Sequence, residues 1–422
     1  MFERVAVIGA GAAGVAACWS AAQRGAEIRL FDDGVGASCL AGGAVDDRPW
    51  EEVARASEVL QIAPTARPMP ELVVAFSAAL GLWQLPLVGE PLVRLATEAG
   101  RIRLARGRDR SLLDFGSVPA GARIALPRVV RAEWDADSLA RSLGADAYAR
   151  SRRFRFEAVD AKLLKLVGEN RVAPAEVASR HDSEERLAWL IERLAEMVAA
   201  QGQIDAILLG PWLGATQPLA ESVSKALGLP VGEILSGVGS AAGMRFESAR
   251  LQLLSSVGIE LETKRVSAVT RRGSELIVQL EDEALAVDAV VLALGGLAAG
   301  GIVYRPAEQD AGQGIAPHAC TPFHLSVRVP VRLAAHGRAL DVGGSIHGPA
   351  LDQLAWPTDA DPGYLEAVGI ASEASEAGPG VFVAGDVVAD RPRTLLQAVH
   401  SGLRAGANAA GEPGSIRPPR PS

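Results

Sequence analysis

The sequence predicts an α/β fold in which one parallel-sheet domain is assembled from separated segments and a second α/β domain is inserted between them. Three observations support this prediction. A strand, a glycine-rich turn, a helix and a second strand follow one another within 4–33, and a strand that ends in Gly-Asp returns within 380–410. Between them, over about 121–238, strand and helix patterns alternate. Such alternation is typical of parallel sheets covered by helices.

The first segment reads VAVIGAGAAG and continues through a small-residue helix to the strand EIRLF and two aspartates. In such a turn the first glycine permits a tight bend, the second lets backbone N–H groups approach a pyrophosphate, and the third lets the helix pack closely on the strand. The helix N-terminus favours the anion, and an acid that ends the second strand can accept the ribose hydroxyls. The segment predicts a dinucleotide site, with flavin and nicotinamide both open. Its predicted binding residues are Gly9, Gly11, Ala12, Ala13, Gly14, Asp32 and Asp33.

Composition limits the classes of protein that the chain can represent. Its 422 residues predict two or three domains, and the 49% hydrophobic fraction allows a large core. A net charge of −8 disfavours nucleic acid and anionic membranes as partners. Cys18, Cys39 and Cys320 are widely spaced without a CxxC, which favours a reducing, cytoplasmic location and predicts no metal site. Electrons leaving through an iron–sulfur cluster would then need a partner protein.

Two apolar stretches imitate membrane signals. The alanine-rich N-terminus loosely resembles a secretory signal, but the nucleotide turn explains its glycines. The uncharged stretch Ala289–Val303 is shorter than the ~18–20 residues that span a bilayer. We expect membrane association only through a partner.

The second segment, Gly380–Ala410, decides which dinucleotide is expected. A buried strand ends in Gly385-Asp386, and a helix that begins near Pro392 carries small residues along its length. In FAD enzymes such an aspartate accepts a ribityl hydroxyl, and the start of the following helix, here at Thr394, faces the cofactor. Together the two segments predict FAD. FMN is less favoured because it would leave Asp32 without a role.

Two intervening stretches allow alternative readings. The glycine-rich loop 34–47 suits close passage of a cofactor, so Ser38, Gly42 and Gly43 are predicted to lie against the phosphate or the flavin ring. Cys39, in the same loop, is either a thiol near the flavin or a small loop residue. The basic stretch Arg101–Arg110 is either the exposed face of a hairpin or a basic rim for an anionic substrate.

The inserted block contains the clearest helix, Ser183–Gln201, in which Ser183 can cap the N-terminus and an apolar face repeats at helical spacing. No catalytic motif occurs in this block. Three short strands follow it and end at Gly295. In flavoproteins of the glutathione-reductase type, a strand around a valine such as Val266 returns to the adenine, and a later strand ends in a small-residue motif such as Ala293–Gly296. That likeness predicts that the first domain is FAD-binding and Rossmann-like.

The predicted divisions are 1–120, 239–300 and 373–410 for this domain, 121–238 for the insertion, 301–372 for a substrate or cap segment, and 411–422 for a disordered tail.

The order of these parts resembles the B subunits of anaerobic, quinone-linked glycerol-3-phosphate dehydrogenases. The resemblance rests on VAVIGAGAAG, GASCLAGGAVDD, ARIALPRVV, GVFVAGDVV and, most specifically, the segment Gly232–Val266. It implies a flavoprotein that oxidises sn-glycerol 3-phosphate or a related alcohol. It also implies a complex with a partner flavoprotein and an iron–sulfur subunit that passes electrons to quinone.

Oxidation of an alcohol by a flavin requires a base for the hydroxyl proton. His324 is the first candidate, on the polar face of the strand pattern Phe323–Leu333, which has a break at Pro330; His318 is the second and His400 the third. Arg391 and Arg393 follow the Gly-Asp motif and can hold a phosphate or carboxylate, or pair with nearby aspartates. The alternatives are a flavin-binding electron-transfer or assembly subunit without substrate chemistry, and a free-standing oxidase or reductase.

Overall fold

The computed structural model describes residues 3–32, 34–48, 53, 64–306, 323–335, 338–341, 369–370, 372–389 and 391–411. The chain divides into two compact units. The first unit comprises Met1–Ala37 and Leu253–Ser422, and the second comprises Ser38–Gln252. Predicted residues Asp33 and His318, most of the predicted cap segment and the tail from 412 onward lie outside the described residues.

The described strands, in chain order, are β1 (Arg4–Ile8), β2 (Glu27–Phe31), β3 (Ala44–Val45), β4 (Trp83–Gln84), β5 (Val93–Ala96), β6 (Ile102–Ala105), β7 (Gly107–Asp109), β8 (Arg123–Arg128), β9 (Arg155–Asp160), β10 (Ala206–Leu209), β11 (Val231–Glu233), β12 (Leu261–Glu262), β13 (Ala268–Arg272), β14 (Glu275–Gln279), β15 (Ala284–Val287), β16 (Ala289–Leu292), β17 (Ile302–Pro306), β18 (Phe323–Val327), β19 (Val331–Ala335), β20 (Arg338–Asp341), β21 (Glu376–Gly378) and β22 (Val381–Val383). The described α-helices are α1 (Ala12–Ala22), α2 (Glu71–Leu80), α3 (Ala136–Ala145), α4 (Ala147–Arg152), α5 (Pro174–His181), α6 (Glu184–Gln201), α7 (Ala220–Leu227), α8 (Ala241–Ser256) and α9 (Leu395–Ala410). This mixture of parallel strands and helices is the predicted α/β class.

The first unit contains a six-stranded sheet in the order β12-β2-β1-β16-β22-β21. Its first five strands are parallel, and only β21 runs antiparallel to its neighbour β22. The central strands are continuous runs of buried apolar residues, because a parallel strand covered on both faces has no solvent side. The carboxyl ends of β1, β16 and β22 therefore lie side by side at one edge.

A second sheet of the first unit, β15-β14-β13-β19-β20, packs against the same core. The strand pattern Phe323–Leu333, with its expected break at Pro330, forms two strands here: β18 pairs with β17, whereas β19 pairs with β13 and β20. The division falls at Pro330, which has no N–H for a ladder but whose carbonyl accepts from Val269 N at 3.0 Å. The two strands on either side of the expected break therefore belong to different sheets.

Helices α1 and α9 pack closely against each other in the first unit. A Cβ on Gly402 would lie 2.1 Å from the carbonyl oxygen of Ala13, and one on Gly406 would lie 2.1 Å from that of Ala17. These glycines recur at i and i+4, so they form one face of α9. Small residues at this face let the N-terminal segment and the C-terminal segment of the chain form one layer.

The second unit is built on the parallel sheet β11-β10-β8-β9. Ser183 caps α6 as predicted, because its Oγ accepts from Arg186 N. The unit begins at Ser38, well before the predicted boundary at 121. Backbone bonds explain the difference, since Leu113 N donates to Glu233 O and Leu235 N donates to Ala96 O. Chain from the first 120 residues is thus hydrogen-bonded to β11.

The stretch Arg101–Arg110 is not the exposed face of one hairpin. Strand β6 pairs with β5, whereas β7 pairs with β3 and β4. The guanidinium of Arg103 pairs with Asp46 at 3.1 Å, and Arg106 is only 5% exposed and faces Asp47 at 3.4 Å. Pairing with acids of the 34–47 loop draws these arginines inward.

A buried charge cluster in the second unit was not predicted from the sequence. Arg245, which is fully buried, donates to Asp109 at 2.9 Å and to Glu233 at 2.6 Å. The residues come from β7, β11 and α8, which are far apart in the sequence. A buried guanidinium needs such partners, because an unpaired buried charge costs several kcal/mol, on the order of 3–5 when one partner is lost.

Candidate cofactor site

Three turns meet at the carboxyl edge of the six-stranded sheet. They follow β1, β16 and β22, which are adjacent in the order of strands. A Cβ on Gly385 would lie 2.9 Å from Ala13 Cβ, and a Cβ on Gly296 would lie 2.9 Å from Asp386 Cβ. The predicted glycine turn and the predicted Gly-Asp turn, separated by more than 350 residues of sequence, are therefore neighbours. Ligands of open parallel sheets bind at this edge.

The turn after β1 requires glycine for two physical reasons. Gly9 has φ +101°, which side chains rarely adopt, and a Cβ there would lie 2.3 Å from Ala293 O. Gly14 has no such φ, but a Cβ on it would lie 1.8 Å from Gly9 O. The first glycine thus permits the turn, and Gly14 permits the close approach of α1, as the sequence predicted.

Helix α1 presents an N-terminus suited to an anion. Gly11 is its N-cap, no side chain caps it, and its first turn contains no acidic residue. The first N–H groups of a helix have no intrahelical acceptor and carry a partial positive charge. With the glycine turn in front of it, this helix end presents backbone N–H groups that suit a pyrophosphate.

Asp32 directly follows β2 and is half-buried. Its backbone N–H donates to Glu262 O at 3.0 Å, which continues the pairing of β2 with β12. Val266, predicted to lie in a strand, is instead in the connection between β12 and β13, 5% exposed and within the core that contains Phe31. The connection, rather than a strand, brings Val266 back toward the end of β2.

The turn after β16 contains Ala293 and Gly295. Ala293 N donates to Ile8 O at 2.8 Å, which fixes this turn against the one after β1. Gly295 has φ +76°. The next residue, Gly296, leaves space for Asp386, whose pKa is raised by burial and lowered to a smaller extent by the charge of Arg393. Asp386 thus stands beside the β16 turn, with a carboxyl group that is poorly hydrated.

The turn after β22 is held to α9 by one hydroxyl. Ser401 Oγ accepts from Gly385 N at 2.9 Å and donates to Ala398 O at 2.9 Å. Helix α9 begins after Thr394, whose side chain makes no capping bond. The Thr394 Oγ1 is buried without a hydrogen-bond partner among the described residues. A buried hydroxyl without a partner is unfavourable, so it is a fitting place for a ligand oxygen.

A polar cleft opens beside Asp386. The predicted residues Arg391 and His400 line it together with Arg404, and so do Ser401 and Gln397. The pKa of His400 is lowered, first by burial and then by the positive charges of Arg404 and Arg391. The ring is therefore neutral at neutral pH and can accept a proton, while the two guanidinium groups can hold an anion.

Arg404, Ser401 and Gln397 were missed by the sequence analysis. With His400 they recur at i, i+3, i+4 and i+7 of α9, the spacing of one helix face. Their helical spacing relative to the candidate His400 is the sequence signal that could have identified them. Arg393 lies near Asp386, in the neighbouring part of the same turn.

The loop residues predicted to contact the cofactor belong to the second unit. A Cβ on Gly42 would lie 1.9 Å from Ser236 O, and Gly43 lies against Asp109 and Leu112. These glycines thus have a packing role of their own. Ser38 is in the short 3₁₀ turn Ala37–Leu40, and the Cys39 Sγ in that turn contacts Glu247 Oε1.

For His324, the first candidate for the base, the structure gives the position of the backbone. His324 lies in β18, opposite Arg305 of β17. His318 is outside the described residues. Among the described residues there is no group of three or more His, Cys, Asp or Glu that could hold a metal ion. Within the same residues, no helix has both the length and the apolar character to cross a bilayer.

Comparisons with known proteins give distant likenesses. No protein-family model matches the chain, and no curated protein is significantly similar to it. Among solved structures it is similar to glycine oxidase from Geobacillus kaustophilus, with 15% identity over 97% of this chain and 94% of that one and a TM-score of 0.33. It is also similar to CtdE in complex with FAD, with 9% identity over 97% of this chain and 84% of that one and a TM-score of 0.33. A third similar structure is 3-ketosteroid Δ1-dehydrogenase from Sterolibacterium denitrificans in complex with 1,4-androstadiene-3,17-dione, with 13% identity over 70% of this chain and 48% of that one and a TM-score of 0.27. TM-scores this low support no inference about the present chain.

Proposed function

We propose that the chain is an FAD-dependent oxidoreductase. The observation that carries the proposal is the meeting of the Gly9–Gly14 turn with the Gly385-Asp386 turn at one sheet edge, each followed by a helix. A mononucleotide uses one such turn, whereas a flavin dinucleotide extends from an adenosine site to a ribityl site. The two turns fit the two ends of that cofactor.

In this proposal four groups of the site bind parts of the cofactor. The N-terminus of α1 binds the pyrophosphate, Asp32 accepts the hydroxyls of the adenosine ribose, and Asp386 accepts a ribityl hydroxyl. The Thr394 Oγ1, which has no hydrogen-bond partner among the described residues, forms a hydrogen bond with a cofactor oxygen at the start of α9. When bound, FAD supplies the hydride acceptor, and the protein supplies binding and orientation.

The cleft is narrow, about 30 Å³, and its positive side chains suit a phosphate group; sn-glycerol 3-phosphate is the substrate that we propose. Arg391 and Arg404 provide the positive charge for the phosphate, and His400 accepts the hydroxyl proton. Two guanidinium groups and a neutral imidazole in one cleft match a ligand that carries both an anion and an ionising hydroxyl. His324 remains a second candidate for the base.

The electrons then pass to quinone through a partner flavoprotein and an iron–sulfur subunit, as the family resemblance implies. The partner also provides any attachment to a membrane, and the complex lies in the cytoplasm. A second candidate function is a flavin-binding electron-transfer or assembly subunit without substrate chemistry. It is favoured by the exposure of Arg391 and Arg404, since a catalytic cleft is usually more enclosed.

One purification tests the proposal in two steps. The purified chain is denatured, and the released flavin is identified by chromatography against FAD and FMN standards. We expect FAD from the wild type and from the control Asp282→Ala, and strongly reduced FAD from Asp32→Ala. If no flavin is released and added FAD does not bind, the cofactor assignment is wrong.

Anaerobic addition of substrate then separates the two functions. Glycerol 3-phosphate, but not glycerol, is expected to bleach the flavin of the isolated chain. The bleaching should slow in Arg391→Gln, and in His400→Gln it should slow and lose the pH dependence that titration of this imidazole causes. Flavin that stays oxidised until a partner subunit is added would favour the electron-transfer function instead.

A further inference from the structure

The second unit contains a large groove that the proposed function does not use. It lies between the C-terminal half of α2 with β4 on one side and α7 with the following residues 228–231 on the other. Its volume is about 900 Å³, within the range of ligand-binding cavities, about 300–1,000 Å³. We call it the α2–α7 groove.

The walls of the α2–α7 groove are joined by one arginine. Arg110 Nη2 donates to Glu221 Oε2 of α7 at 2.7 Å, and its Nη1 donates to Gly81 O, directly after α2, at 3.4 Å. Between the walls, Leu112, Leu113 and Val231 form an apolar floor. The groove thus combines an apolar base with a polar rim, as small-molecule sites do.

Arg108 gives the groove a positive charge whose hydrogen bonds go to uncharged acceptors. Its guanidinium donates to Gln84 Oε1 and to backbone carbonyls, including that of Leu112, all of them uncharged acceptors. No carboxylate forms a salt bridge with Arg108 among the residues that the structure describes, and burial lowers its pKa. The carboxylates of Asp114, Asp109 and Glu221 attract this cation through space without a hydrogen bond to it, so an anion that bonds directly to the guanidinium would add stabilisation.

The other charges of the lining cancel, so Arg108 decides the sign of the groove. Arg108, Arg110 and Lys225 face Asp114 and Glu221, so the groove has three positive and two negative side chains and a net charge of +1. This balance suits a ligand with a single negative charge.

An orphan hydroxyl lies in the same groove. Ser77, in α2, is 4% exposed, and its Oγ has no hydrogen-bond partner among the described residues. Ser77 also lines the groove. A serine hydroxyl in a helix normally bonds to a nearby carbonyl or to water, so a buried one without a partner indicates a missing polar ligand.

We propose that the α2–α7 groove binds a small organic monoanion, a carboxylate carried on an apolar body. The carboxylate lies toward Arg108 and Lys225, the Ser77 hydroxyl donates to it, and the apolar body covers the leucines of the floor. The site is built entirely from residues of the second unit and does not depend on the FAD assignment.

Calorimetric titration of the full-length chain with octanoate tests the charge requirement. Octanamide is the matched probe, because it has the same apolar body and no charge. We expect octanoate to bind at least about tenfold more tightly than octanamide, since a hydrogen-bonded charge adds more than a neutral contact. Equal binding of the two probes, or no binding of octanoate, overturns the proposal.

Two exposed residues of α7 provide variants with opposite effects. Lys225→Gln is expected to weaken octanoate binding roughly threefold, and Glu221→Gln to strengthen it roughly threefold, as expected for exposed charges. Octanamide binding should not change in either variant. Lys162→Gln, an exposed lysine outside the groove, is the control and should leave both probes unchanged.

Ser77→Ala separates a ligand role from a structural one. Removing a buried orphan hydroxyl should raise the melting temperature of the chain without octanoate, and weaken octanoate binding several-fold. If octanoate binds Ser77→Ala and both α7 variants as it binds the wild type, it is held elsewhere and the groove is not its site.

Discussion

Gly402 of α9 lies against Ala13 of α1 so closely that a Cβ on Gly402 would be 2.1 Å from the Ala13 carbonyl oxygen. Ala13 belongs to the first turn of the helix that follows the glycine turn, and Gly402 is one residue after Ser401, which fixes the Gly385 turn. The contact therefore sets the relative position of the two turns of the candidate cofactor site.

Gly402→Ala is expected to destabilise the chain by about 1–3 kcal/mol, because the added methyl group meets a backbone atom that cannot rotate away. Urea unfolding followed by circular dichroism measures the change. Gly144→Ala, also in a helix but with open space around its Cα, is the matched control. It should leave stability unchanged or raise it by up to about 1 kcal/mol. Equal effects of the two variants would contradict the close packing of α1 on α9.

Gly14→Ala is expected to abolish flavin retention. A methyl group at this position would lie 1.8 Å from Gly9 O, so α1 must move away from the turn that binds the pyrophosphate. The measurement is the molar ratio of FAD to protein after purification. Gly34→Ala, where nothing lies within 4 Å, should retain FAD at the wild-type ratio. Unchanged retention in Gly14→Ala would mean that this turn does not bind the cofactor.

Thr394→Val distinguishes a cofactor-binding hydroxyl from an unused one. The substitution keeps the shape of the side chain and removes the buried Oγ1 that has no partner. We expect the apoprotein to become slightly more stable, by about 1 kcal/mol, and the Kd for FAD to rise several-fold. Thermal melts with and without FAD give both quantities. A variant with unchanged FAD affinity would remove Thr394 from the site.

Glu233 is expected to make the stability of the chain depend on pH. Two carboxylates share the single guanidinium of Arg245, and burial raises the pKa of Glu233 from 4.5 to about 7, an effect that Arg245 opposes and Asp109 increases. A folded-state pKa above the unfolded one means that the folded chain binds the extra proton. The stabilisation is complete below pH 4.5 and is lost as pH rises through about 7.

The loss amounts to about 3 kcal/mol, at 1.36 kcal/mol per pKa unit. Glu233→Gln cannot release a proton, so its unfolding free energy should change less between pH 5 and pH 8 than that of the wild type. Urea midpoints from tryptophan fluorescence at these two pH values measure the difference. The control Glu281→Gln, an exposed residue, should follow the wild type. If the unfolding free energy of Glu233→Gln changes with pH as much as that of the wild type, the extra proton is not bound at this carboxylate.

The sequence by itself determined the local parts of this protein. The glycines after β1, the aspartate after β22, the cap of α6 and the alternation of strands and helices are local signals, because turn geometry, capping and periodicity depend on residues a few positions apart. These signals predicted both turns of the candidate site and the α/β class.

Only the tertiary structure decided which parts meet. It placed Asp386 beside Gly296, joined Arg245 to Asp109 and Glu233, and gave Gly42 a packing contact with Ser236 that the sequence did not predict. None of these contacts produces a repeating pattern that can be recognised in the sequence. They arise because strand order and helix packing bring distant residues together. The role of a buried charge or of a glycine therefore depends on the residue that it contacts in the fold.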